Sequence, residues 1–147
     1  MSINGYLRHS TKIQIRFNDL DILGHVNNAV YQHYYDYARM KYFKDVIGSN
    51  LNWKEFGVIM AGITINYLNP IKMEDPVSVR SSIKVLGDKS LTMVQDIINS
   101  QSHDVYSSSE ATMVGFSAFH NETVKIPDNW KEKIASFEEK VQMKYPA

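Results

Sequence analysis

Between Ala29 and Ile47 the sequence AVYQHYYDYARMKYFKDVI repeats apolar residues at helical spacing: Tyr31, Tyr34, Tyr35, Ala38, Tyr42 and Val46. Val30, Tyr37, Met40 and Phe43 then widen that stripe well beyond the arc of roughly 100° that an ordinary surface helix buries. A helix this apolar has to be wrapped, so the rest of the chain must supply a curved apolar surface. Asn27 or Asn28 suits the N-cap, because an Asn side chain accepts from the first free backbone N–H groups, and Gly48 suits the stop.

The remaining sequence reads as strands. In residues 11–18, Ile13, Ile15 and Phe17 alternate with Lys12, Gln14 and Arg16, which predicts a half-buried strand. After a short connection, Val58 to Leu68 places Ile59, Ala61, Ile63, Ile65 and Tyr67 on one face, and Asn69-Pro70 ends the run. Val77 to Leu86 sets Val77, Val79, Ile83 and Val85 against Ser78, Arg80, Ser82 and Lys84, with the second set in solvent or on a polar ligand. Gly87-Asp88 leads to a third strand, Ser90 to about Asn99, and a polar turn to a fourth, about Val105 to Phe119. Loops this short imply antiparallel neighbours. At the end, Trp130, Ile134, Phe137 and Val141 predict a solvent-facing helix over about 127–143, with Pro127 near its start. The expectation is an α+β fold: one domain over 1–147, core about 11–120, with a curved antiparallel sheet wrapped around one long central helix and a C-terminal helix beyond. Long strands with an open face and edge also invite a second copy of the chain.

Composition narrows the function. Sixteen Lys and Arg balance sixteen Asp and Glu, so nothing favours a polyanion and nucleic acid is not an expected partner. There is no Cys, which removes disulfides, thiolate ligands and a Cys nucleophile, and fits a reducing cytoplasm. No apolar run approaches the length of a membrane span and the N-terminus lacks a signal-like core, so no membrane partner and a cytoplasmic location are expected. No phosphate-cradling glycine loop occurs.

The chemistry concentrates in RFNDLDILGHVNNAVYQHYYDYAR, residues 16–39, where two carboxylates, a glycine, a histidine and two asparagines fall between a strand and the helix. Asp19 and Asp21 suit turn and cap positions as well as catalysis. His25 has His33 and Asp36 as its nearest companions, at no metal-ligand spacing, so no metal is expected. The pattern Arg-Phe-x-Asp-x-Asp-x-x-Gly-His-Val-Asn-Asn, with Tyr31, Ala38-Arg39, the later NYLNPIKMEDPVSVRSSI and GDKSLTM, resembles the hot-dog-fold acyl-CoA thioesterases of the 4-hydroxybenzoyl-CoA thioesterase-like family. The resemblance covers about residues 11–120.

It implies a cofactor-free hydrolase that cleaves an acyl-CoA to a free acid and coenzyme A, at sites lying between the subunits of a homodimer or homotetramer. By the same resemblance Asp21 acts on the thioester, and backbone amides near Asn27 and Asn28 polarise its carbonyl. His25 orients substrate or the loop, Gly24 lets substrate approach, and Tyr31 lines the acyl pocket. Asp19 pairs with Arg16 or shapes the loop. The physics agrees, since a helix N-terminus offers free donors and partial positive charge to an oxygen gaining negative charge. Arg80, Lys84, Lys89 and Ser90 stand as substrate-binding residues, the basic ones for the phosphates of coenzyme A. Acyl-acyl carrier protein hydrolysis, acyl-CoA sensing and hydration are the rivals.

Overall fold

The computed structural model describes residues 7–144. Strand β1 (His9–Ile13) leads through a 3₁₀ turn (Phe17–Asp19) to helix α1 (Asn28–Val46). Four long strands follow, β2 (Gly57–Tyr67), β3 (Val77–Gly87), β4 (Ser90–Asn99) and β5 (Val105–Ser117). A short β6 (Glu122–Thr123), helix α2 (Asp128–Glu138) and a short β7 (Gln142–Lys144) complete the order. The strands form one sheet in the order β1-β3-β4-β5-β2, antiparallel along that path, with β6 beside β5 and β7 parallel to β3. The sheet curls around α1 as the wide stripe required: Tyr31, Tyr35, Ala38 and Tyr42 are almost wholly buried. Two apolar clusters fill the concavity, one under the first half of α1 with Val79 and Ile97, the other joining its second half to Ile83, Leu91, Met93 and α2.

Local geometry departs from simple alternation in four places. Phe17 does not continue the β1 face. The backbone turns into the 3₁₀ segment after Arg16, leaving Phe17 81% exposed while Ile13 and Ile15 are buried. A bulge between Met60 and Gly62 reverses the phase of β2. Cross-strand partners share a face, so Val58, Met60, Ile63 and Ile65 stand on the helix side, and Ile59, opposite Val114, faces away. A second bulge between Ile83 and Val85 likewise turns Leu86, not Val85, into the core. The C-terminal helix is buried on one face by Trp130 and Ile134 and stops at Glu138, because Glu139 takes a left-handed φ of 61° and the chain then adds β7 to the edge of β3. No helix among the described residues is long and apolar enough to cross a membrane.

Candidate active site

The segment joining the 3₁₀ turn to α1 is closed by its own backbone. Leu20 bridges Val26 and His25 bridges Lys72, both antiparallel. The Val26 N–H donates to the Ile71 carbonyl at 2.8 Å and the Asn27 N–H to the Asp19 carbonyl at 2.8 Å. Gly24 makes the reversal with φ +77°, and a Cβ there would meet nothing, so glycine supplies backbone freedom rather than room.

The two carboxylates have different surroundings. Asp19 is 1% exposed and accepts from the Arg16 N–H (2.9 Å), the Arg16 guanidinium (3.1 Å) and the Tyr34 hydroxyl (2.6 Å). Burial pushes its pKa up, but the bonds from Tyr34 and Arg16 outweigh that and hold the carboxyl below its ordinary value. Both oxygens are engaged and the side chain is buried, so Asp19 shapes the loop. Asp21 is half-buried. Its Oδ1 accepts the Leu23 N–H (2.9 Å) and the His25 N–H (3.2 Å), while its Oδ2 has no partner among the described residues. One oxygen anchors the loop and the other is unpartnered among the described residues.

The mouth of α1 is equally divided. Asn27 is the N-cap: its side chain accepts the Ala29 N–H at 3.0 Å, and its own N–H is taken by Asp19. The Asn28 N–H has no partner among the described residues, so it is the amide free to meet an oxyanion, and the Asn27 amide is not. Asp21, His25, Asn28 and Tyr31 line one cavity of about 340 Å³. Its opposite wall is the end of β2 and the loop after it, Tyr67 to Pro70. Asn69 is pinned to the start of β5 by its side-chain bond to the Val105 carbonyl (2.9 Å), and the Tyr31 hydroxyl donates to the Asn69 carbonyl (3.3 Å). Burial pushes the Tyr31 hydroxyl above its ordinary value, and Asp21 is among the charges that add to this, so Tyr31 stays a neutral donor in the wall. Tyr67 packs edge-on to Tyr31 and donates to the Asn28 carbonyl at 3.3 Å. The sequence reading passed over Tyr67 as a wall residue because periodicity only places it on a strand face; the Asn69-Pro70 strand end beside it was the available signal.

The structure brings Asp21, His25, Asn28 and Tyr31 to one cavity, with Gly24 and Asn27 in the adjoining loop and outside its lining. It does not bring the expected phosphate ligands to the same mouth. Arg80 and Lys84 sit on the convex face, away from α1, where Arg80 makes two bonds to the buried Asp96 (2.9 and 2.5 Å) and Lys84 pairs with Glu110 at 3.0 Å. Lys89 and Ser90 lie at the β3–β4 turn. Ser90 pairs with Val114, whereas the cavity lies by Tyr67, which pairs with Ser107, about 23 Å away at 3.3 Å per residue of β5. Among the described residues, no three His, Asp or Glu side chains gather as a metal site.

Comparison with known proteins agrees with this architecture. The PA5185 protein of Pseudomonas aeruginosa superposes with a TM-score of 0.83 at 20% identity, over 93% of this chain and 96% of that one, a likeness of fold. A thioesterase of Thermus thermophilus, crystallised with coenzyme A and Zn, superposes with a TM-score of 0.80 at 28% identity, over 92% of this chain and 97% of that one. The uncharacterised protein YsmA of Bacillus subtilis is 27% identical over 82 residues, 56% of this chain and 55% of that relative, so the match spans about half of each. Residues 15–134 match the model of the thioesterase-like superfamily, and the chain belongs to that superfamily and has its hot-dog fold.

Proposed function

We propose that the protein hydrolyses an acyl-CoA to a carboxylic acid and coenzyme A at the mouth of α1, as a cytoplasmic enzyme. The observation that carries this reading is one cavity lined both by Asp21, whose Oδ2 has no partner among the described residues, and by Asn28 at the helix N-terminus, whose N–H has none either. The amide and the helix dipole stabilise the oxygen of the tetrahedral intermediate. Asp21 either activates water as general base or attacks the carbonyl carbon, expelling the coenzyme A thiolate, to form an anhydride that water then opens. Tyr67, Tyr31 and the Asn69-Pro70 turn hold the thioester against the amide, and His25 stands at the rim.

The cavity is open, and a second copy supplies the missing wall in this reading. Strand β2 is the sheet edge beyond β5, and Ile59, Met60 and Tyr67 on it are exposed. An unpaired edge of eleven residues with apolar side chains is a template for pairing, so the active form is a homodimer or a pair of homodimers. A panel of aliphatic and aromatic acyl-CoAs, assayed by release of free thiol, tests the reading. Turnover of several members with dependence on Asp21 is expected. Turnover of acyl-acyl carrier protein alone would move the substrate to the protein carrier, and tight binding without turnover would make the protein a sensor.

A further inference from the structure

A polar seam separates the two apolar clusters under α1. Cross-strand pairing sets His9, Ser81, Gln95 and Ser109 in one row across β1, β3, β4 and β5, and all four are buried. Two residues to either side along β3 and β4 the same face is apolar, with Val79 and Ile97 in the first cluster and Ile83 and Met93 in the second. Arg39, between Ala38 of the first cluster and Tyr42 of the second, meets this row from α1. It is 6% exposed, and its guanidinium donates to Gln95 Oε1 at 3.0 Å and to Asp36, one turn back on the helix. The Gln95 amide is used in full, since its Nε2 donates to the Ser81 hydroxyl at 3.0 Å and to the Tyr35 carbonyl at 3.2 Å. Burial pushes the Arg39 guanidinium below its ordinary value and the Asp36 carboxylate only partly opposes this, but a guanidinium keeps its proton. The seam therefore holds a charge in the middle of the core.

Stability does not explain this arrangement, because replacing a buried ion and its partners together by apolar side chains of similar volume leaves a fold as stable or more so. What the buried charge supplies is a register. Sliding α1 by one turn, about 5.4 Å, would set the guanidinium against Val79 and Ile97 or against Ile83 and Met93, which are apolar. Smaller slides spoil the three bonds at Gln95, whereas the apolar contacts on either side are non-directional and resist them little. The Tyr35 hydroxyl, one turn earlier, also bonds to the sheet, at Ser107, but displacing a neutral hydroxyl costs far less than displacing a charge. Resting on the acyl-CoA reading above, we infer that Arg39 is a positioning residue: through Gln95 and Ser81 it fixes the axial place of α1 on the sheet, and with it the distance from the Asn28 amide to Asp21. The amide travels with α1, whose first residue it belongs to, eleven residues and three turns from Arg39. Asp21 is instead anchored through His25 and Val26 to the Ile71–Lys72 segment. A slip of the helix thus changes their separation.

The test replaces the network as a unit, in Arg39→Met/Gln95→Leu/Ser81→Ala, and adds Arg39→Lys, which keeps the charge but lacks the planar fork that holds Gln95 and Asp36 together. Thermal melts, turnover of an acyl-CoA that the wild type hydrolyses, and backbone amide NMR are read on each. The triple variant is expected to melt at or above the wild-type temperature. Its kcat should fall by about tenfold or more with KM little changed, because the Asn28 amide acts on the transition state. The Asn28 amide resonance should move, while those of Leu23 and His25, held by Asp21, stay in place. Arg39→Lys should show the same changes to a smaller degree, and it decides the matter if the triple variant does not fold. A folded variant with wild-type kcat, or with an unmoved Asn28 resonance, overturns the assignment. If the wild type hydrolyses no thioester, the hydrolase reading falls, and the Asn28 resonance alone decides whether Arg39 positions the helix mouth.

Discussion

Asp19 and Asp21 are two residues apart and of one chemical type, yet their hydrogen bonds separate them. Asp21→Asn keeps the Oδ1 acceptor that the Leu23 and His25 amides need but removes the charge from Oδ2, so kcat should fall by about 100-fold or more while substrate still binds. Asp19→Asn replaces a buried carboxylate that receives three bonds with a group that presents N–H toward Arg16. It should cost about 2 kcal/mol in a melt and leave most turnover intact. Because the folded Asp19 carboxyl titrates below its ordinary 3.8, its contribution is complete above that value and is lost as pH falls through the lowered one. The gap in melting temperature between wild type and Asp19→Asn should therefore close in acid. An active Asp21→Asn enzyme beside a folded but inactive Asp19→Asn enzyme would reverse the roles. That both lie in one polar loop before α1 was legible in the motif; which one is held by that loop depends on Tyr34, fifteen residues further on.

Strand β3 shows how elements complete one another's hydrogen bonds. Its outer edge is paired with β1 as far as Ser81 and with β7 from Val85, so the Ile83 N–H falls in the gap. Glu138, the last residue of α2, fills it by accepting the Ile83 N–H at 2.7 Å together with the Tyr42 hydroxyl. Burial pushes the Glu138 carboxyl above its ordinary value, and the bonds from Tyr42, Ile83 and Ser82 and the charge of Arg8 only partly oppose this. A raised folded pKa means that the stability contributed by the protonated carboxyl is complete below about 4.5 and is lost as pH climbs through the folded value. Glu138→Gln stays neutral throughout, so its melting temperature relative to wild type should rise over that same climb. Parallel wild-type and variant curves would show that Glu138 is not the titrating group. Periodicity in the sequence predicted α2 and its apolar face, but the contact its last residue makes, with a strand more than fifty residues earlier, carries no local signal.

For the whole molecule, the exposed β2 edge and the open cavity make one prediction. Met60→Lys places a charge on the helix-side face of that edge, so it should raise the dimer dissociation constant and lower activity in parallel, with the protomer still folded by circular dichroism. Light scattering across a dilution series reads the first and thiol release the second; a fully active monomer would sink the shared-wall model. The sequence by itself determined the long wrapped helix, the four long antiparallel strands and the polar loop between β1 and α1. Those depend on periodicities of 3.6 and 2 and on Gly, Asn and Pro positions, all of them local. Only the tertiary structure decided the rest. The bulges at Met60/Gly62 and Ile83/Val85 shift side chains between faces without any mark in the alternation. The fate of each charge also depends on which strand lies beside it: Asp96 next to Arg80 and Glu110 near Lys84. Pairing energies across a sheet are set by neighbours distant in sequence, and so which charges are already paired could be read only once the sheet was closed.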